Sequence, residues 1–178
     1  MSKLLRFLRF CLYGLLGMVA LAAALFGYFI YSPDPELPKL SGVLSKAAID
    51  FGGLKRSYLS YVPKALPAGA PMVLVMHGSG ETAAQIRVGT GYGFERLADQ
   101  YGFVVVYPNA YTFDWNDCSK VGDFNVNGVG VDDVGFLGAL VDKLVAEMGI
   151  DQNRVFASGV SSGGFMSIRL ALESPSKF

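Results

Sequence analysis

The sequence has one histidine, His77, two cysteines, one tryptophan and no surplus of either charge, with 15 basic and 15 acidic side chains in 178 residues. Each scarcity excludes something. No histidine follows residue 77, so nothing later in the chain supplies an imidazole base. Cys11 lies in a long apolar run and cannot reach Cys118. Cys118 therefore either pairs with a cysteine beyond residue 178, which an exported location permits, or stays a free thiol. Without the amino-terminal run, which carries Lys3, Arg6 and Arg9, 12 basic residues face 15 acidic ones, a net charge of −3. That leaves no basic footprint for nucleic acid or for anionic lipid. Internal repeats and low-complexity tracts are absent as well.

What is abundant is apolar. Residues 10–31 run for 22 positions without a charge. As a helix at about 1.5 Å per residue they reach roughly 33 Å, enough for a hydrocarbon core of about 30 Å. Basic residues before the run and Asp34 and Glu36 after it put residues 1–9 in the cytosol and the bulk of the chain outside. The length favours an uncleaved signal anchor, since a secretory apolar region is usually about 7–15 residues. Ala22-Ala23-Ala24 leaves a cleaved signal open, and a secreted product with it. Residues 32–44, with Pro33, Pro35 and Pro38, read as a stiff spacer before a domain at 45–178.

Within that domain, residues 71–76, 103–108 and 154–157 are continuous apolar runs, the pattern of strands buried on both faces of a parallel sheet. Phe94, Leu97, Ala98 and Tyr101 make one helical stripe. Val134, Leu137, Val141, Leu144, Val145 and Met148 make another, with Asp132 or Asp133 capping its start and Gly149 ending it. Gly52-Gly53 between residues 48–51 and 55–62 predicts a hairpin. The third apolar run leads into Gly159-Val160-Ser161-Ser162-Gly163, which opens onto a helix-like segment from Phe165 to Leu172. A Gly-x-Ser-x-Gly at a strand-to-helix bend lifts one hydroxyl above the sheet, and the frame selects Ser161.

Arg56-Ser-Tyr-Leu-Ser-Tyr-Val-Pro63, Val73-Leu-Val-Met-His-Gly78, residues 97–108, Trp115-Asn116-Asp117, Val131-Asp-Asp-Val-Gly-Phe136 and the bend follow one another in an order that resembles the α/β-hydrolase family of polyhydroxybutyrate depolymerases and related feruloyl and acetylxylan esterases. The resemblance covers residues 48–178. It implies a partial α/β-hydrolase fold: a mostly parallel sheet with flanking helices and an N-terminal hairpin, behind one transmembrane or signal helix. It implies a serine esterase with Ser161 as nucleophile. The oxyanion hole would be formed by the N–H of Ser162 and by the loop at Gly78 and Ser79, with His77 shaping that loop. Trp115 becomes a candidate wall of the acyl pocket, with core packing as the alternative. The expected partner is an ester on a polyester or polysaccharide. No cofactor is expected.

The same family runs its triad as serine, acid, then histidine, and only Glu173 follows Ser161 here among candidate acids. The expectation is a chain cut short after the nucleophile, with little turnover of its own and an unpaired sheet edge at residues 154–157 that favours aggregation. The competing reading is a non-catalytic relative that at most binds a ligand; an acyltransferase is a variant of the first. Asp123, Asn125 and Asn127 copy half a calcium loop, but its twelfth position is Val134, so no metal is expected.

Overall fold

The computed structural model describes residues 2–117 and 130–178. They divide into two compact units, residues 1–34 and 35–178. The Cys118 thiol and the 123–128 half-loop lie outside the described residues.

The first unit is one helix, α1 (Lys3–Phe29), capped by the Ser2 hydroxyl and with no buried residue. By length and composition it can cross a membrane, and a signal sequence near an amino terminus passes the same test. It starts earlier than the apolar run because Lys3, Arg6 and Arg9 extend its first turns.

The second unit is a five-stranded mixed sheet. Its strands are β1 (Val43–Phe51), β2 (Leu54–Val62), β3 (Met72–Met76), β4 (Val104–Pro108) and β5 (Val155–Gly159), in the spatial order β1-β2-β4-β3-β5. β3 runs parallel to both β4 and β5, while β2 is antiparallel to β1 and β4. The β1–β2 hairpin closes at Phe51↔Leu54 through Gly52 and Gly53, at φ 58° and 76°. Both turn residues are thus left-handed, the two-residue hairpin geometry that matches strand twist.

The apolar runs are explained by cover on both faces. Met72, Leu74, Met76, Val104 and Val106 face a core shared with α4 (Asp133–Met148) and α5 (Ser162–Glu173). Val75, Val105 and Tyr107 face the opposite core, shared with α2 (Ala83–Gly89) and α3 (Gly93–Tyr101). α4 begins with the Asp132 carboxylate accepting from Gly135 N at 2.8 Å and ends at Gly149.

Two expectations are corrected here. In α3, Ala98 is buried, but Leu97 and Tyr101 are 45% and 66% exposed, and Glu95 takes an inward place. It can do so because Arg87 pairs with it and the Tyr107 hydroxyl donates to it at 2.7 Å. Asp133 is no cap: it is buried against Arg56. Ser41 N and Oγ donate to Asp99 at 2.7 Å each, and the Tyr61 hydroxyl accepts from Gly42 N, so the chain is fastened before β1 begins.

Candidate active site

The bend between β5 and α5 is built by two close backbone approaches. A Cβ on Gly159 would lie 2.4 Å from the Gly163 carbonyl, and one on Gly163 would lie 2.3 Å from Met76 O at the end of β3. Only glycine lets the helix start this close to two strands. Val160 N donates to Met76 O at 3.1 Å, which fixes the bend to β3. Ser161, with φ 51° and ψ −120°, then sits in a region that strains any side chain, and it is exposed. Such strain costs on the order of 1–3 kcal/mol and persists only where the surroundings impose it.

The 77–81 loop faces this bend. A Cβ on Gly78 would lie 3.6 Å from Ser161 Cβ and 3.4 Å from Glu81 Oε2. The loop's N–H groups have divided uses. Gly78 N donates to Glu81 Oε2 at 3.0 Å, Gly80 N to Phe113 O at 2.9 Å and Glu81 N to Gly78 O at 3.2 Å. Gly78 therefore does not offer the free donor expected of it, because Glu81, unremarked in the sequence, occupies its N–H. Among the described residues the N–H groups of Ser79 and Ser162 have no hydrogen-bond partner. Ser162 follows Ser161 at the positive start of α5, and Ser79 follows Gly78, the loop residue that approaches Ser161. The Ser162 hydroxyl donates to Asp117 Oδ2 at 2.8 Å, tying the start of α5 to the 109–117 segment.

His77 is fully buried and both ring nitrogens are engaged. Nδ1 donates to Gly78 O at 2.7 Å, while Nε2 accepts from Ala110 N at 3.1 Å. Those partners require the neutral ring with its proton on Nδ1. Burial lowers the pKa of His77 below its ordinary 6.5, against smaller opposing effects of Gly78 O and nearby carboxylates. Trp115 is 5% exposed and packs in the core, with its ring 5.2 Å from His77 and its indole N–H donated to His77 O at 2.9 Å. The packing alternative thus describes Trp115 better than a pocket wall, and it touches the site through His77.

A pH dependence follows. In the unfolded chain His77 takes up a proton below about pH 6.5. The folded ring resists, since protonated Nε2 would confront the Ala110 N–H. The unfolded state therefore binds more protons, and stability falls as pH drops below 6.5 toward the lowered folded value. Urea unfolding at pH 7.5 and 5.5 should show the loss, at a slope of at most about 1.4 kcal/mol per pH unit from this one group. A His77→Gln variant should flatten that slope.

The segment 109–117 fastens these parts together. Asn109 N and Nδ2 donate to Ser57 O and Oγ, and its Oδ1 accepts from Ala83 N. Asn116 N donates to Asp133 Oδ2 at 2.7 Å, and Asn116 O accepts from Arg169 of α5. Asp133 in turn holds Arg56 at 2.5 Å, with both side chains 1% exposed and the guanidinium 3.9 Å over the Phe136 ring. Among the described residues no cluster of three or more His, Cys, Asp or Glu side chains could hold a metal ion.

Comparison with known proteins agrees with this architecture. The feruloyl esterase B of Neurospora crassa is 35% identical over 121 residues, 67% of this chain and 40% of that protein. The poly(3-hydroxyalkanoate) depolymerase C of Paucimonas lemoignei is 31% identical over 125 residues, 66% of this chain and 28% of that one. In structure, the acetyl xylan esterase from Aspergillus awamori matches with a TM-score of 0.57 at 24% identity, over 75% of this chain and 49% of that one. The chain spans less than half the length of each of these relatives. Residues 56–178, from β2 through α5, match the family model described as esterase PHB depolymerase, and the chain belongs to that family.

Proposed function

We propose that Ser161 is the nucleophile of a carboxylic-ester hydrolase. Its Oγ attacks the ester carbonyl, and the oxygen that becomes negative is received by the N–H groups of Ser162 and Ser79. One observation carries this reading: an exposed serine is strained onto a tight bend that Gly78 approaches, and the N–H groups of Ser162 and Ser79 next to these two have no partner among the described residues. Donors of this kind are worth about 3 kcal/mol each toward the tetrahedral state.

A serine hydroxyl needs a base, and His77 is committed to Gly78 O and Ala110 N. We place the histidine and its carboxylate partner beyond Phe178, in the part of its relatives' length that this chain does not cover. The substrate is an ester carried on a polymer, either a polyester or an esterified polysaccharide, in keeping with the names of the relatives. α1 is the membrane anchor of an exported protein, with the domain on the far side of the membrane; if it is cleaved, the protein is secreted. The commitment of the sole histidine also favours a second reading, a non-catalytic relative that binds esters without cleaving them.

A fluorophosphonate probe separates the two readings. The protein expressed from its whole gene should acquire one adduct, which peptide mass spectrometry maps to Ser161. A folded protein left unmodified, or modified elsewhere, supports the non-catalytic relative.

A further inference from the structure

A cleft of about 500 Å³ is lined by Lys46 and Leu59 of the hairpin, the start of α2 and the 109–113 segment. It lies past the carboxyl end of β4, beside the middle of β2, and ligands of α/β sheets bind outside the carboxyl ends of strands. Its floor is rigid. Asn109 is bonded on three atoms to Ser57 and Ala83, so no side-chain freedom is lost there when a ligand arrives. Leu59 and Phe113 line it as apolar walls, and the Gly80 N–H bond to Phe113 O makes one wall continuous with the loop beside Ser161.

Two features of the cleft place side chains that the packing of the fold does not need. Thr112 and Phe113 are successive non-glycine residues at φ 53° and 70°, and such a conformation is costly for a bulky side chain. That strain buries nothing, because the Phe113 ring is 57% exposed. It does hold the ring up at the cleft. Lys46, exposed on β1, is the only charged residue in the lining, and it makes no ion pair or hydrogen bond among the described residues. A lone cation over an apolar, aromatic-walled groove fits a carbon chain that ends in, or bears, an anion.

We propose that this cleft is a second subsite, holding the part of the substrate remote from the scissile ester, and that Lys46 engages a carboxylate there while Phe113 and Leu59 pack against the carbon skeleton. The inference deepens the esterase reading and rests on it for the word substrate. Two sources carry the same chemistry: the free acid end of a short polyester chain, and a uronic acid on a polysaccharide.

The test measures binding in a Ser161→Ala background, so that it does not depend on turnover. Trp115, the only tryptophan, stands two residues from Phe113 and reports by its fluorescence. The ligands are a linear 3-hydroxybutyrate trimer as free acid, its methyl ester, a glucuronic-acid-substituted xylo-oligosaccharide and the same oligosaccharide without the acid. At least one acid should bind more tightly than its neutral counterpart. Lys46→Ala should remove that difference, a loss of about three- to fivefold as expected for a half-solvated ion pair, and Lys46→Arg should restore it. Phe113→Ala should weaken acid and neutral forms alike. Which acid responds identifies the source. Equal binding of acid and neutral forms, a preference indifferent to Lys46, or no binding at all overturns the subsite. Its failure is distinct from that of the esterase reading, because fluorophosphonate labelling of Ser161 does not involve Lys46.

Discussion

Replacing Ser161 with alanine should lower kcat on an activated ester by about 10⁴- to 10⁶-fold in the protein expressed from its whole gene. The free N–H groups of Ser79 and Ser162 survive the substitution, so substrate binding should persist with KM little changed. What disappears is the covalent acyl intermediate. The bend itself should be indifferent to alanine, because the strain at φ 51° is the same for both side chains. Ser161→Gly makes the complementary point: it should be as inactive and yet more stable by about 1 kcal/mol, since glycine adopts this conformation freely. Equal turnover by Ser161→Ala and the parent would remove Ser161 from the chemistry.

The largest effect on stability should come from Arg56→Ala. The Asp133 carboxylate would stay 1% exposed and lose its cation, and breaking a buried pair from one side costs about 3–5 kcal/mol. In a domain of this size that lowers Tm by roughly 10 °C or more. The same carboxylate accepts Asn116 N, so the loss should spread to the 109–117 segment. An Arg56→Met, Asp133→Leu double variant removes both charges and should recover most of the loss, as apolar replacements of buried pairs commonly do. Differential scanning calorimetry of the parent and the two variants makes the test, and an Arg56→Ala protein within 1 °C of the parent would refute the coupling.

How far the sequence revealed this molecule follows the range of the interactions. β3 and β4 were legible because a strand covered on both faces must be apolar throughout, whereas β5, read the same way, is the edge strand and leaves Phe156 55% exposed; Gly52-Gly53 marked the hairpin because few other pairs tolerate its two left-handed positions. The bend at Ser161 was legible for a similar local reason. α2 was not: seven residues give too few turns for a helical period to emerge. Nor did the sequence tell that β2 would lie antiparallel beside β4, since strand order is decided between elements. The polar contacts of the site were hidden most completely. Arg56 and Asp133 are 77 positions apart, Asp117 and Ser162 are 45 apart, and neither partner announces the other. Glu81 is near in sequence, yet its hold on Gly78 N depends on a loop conformation that no periodicity encodes. Inward Glu95 defeated the amphipathic pattern of α3 for the same reason, its partners Arg87 and Tyr107 lying on α2 and β4.

The 109–117 segment divides into fixed and free positions, and this sets where its side chains can change. The side chains of Asn109, Trp115 and Asn116 are bonded to Ser57 of β2, to His77 O and to Val131 O, so exchange at any of them would be transmitted along the segment that meets the loop beside Ser161. Thr112 and Phe113 are joined to the rest chiefly through main-chain bonds, which survive a change of side chain. Substitutions can therefore accumulate at those two positions while the geometry around Ser161 is inherited intact.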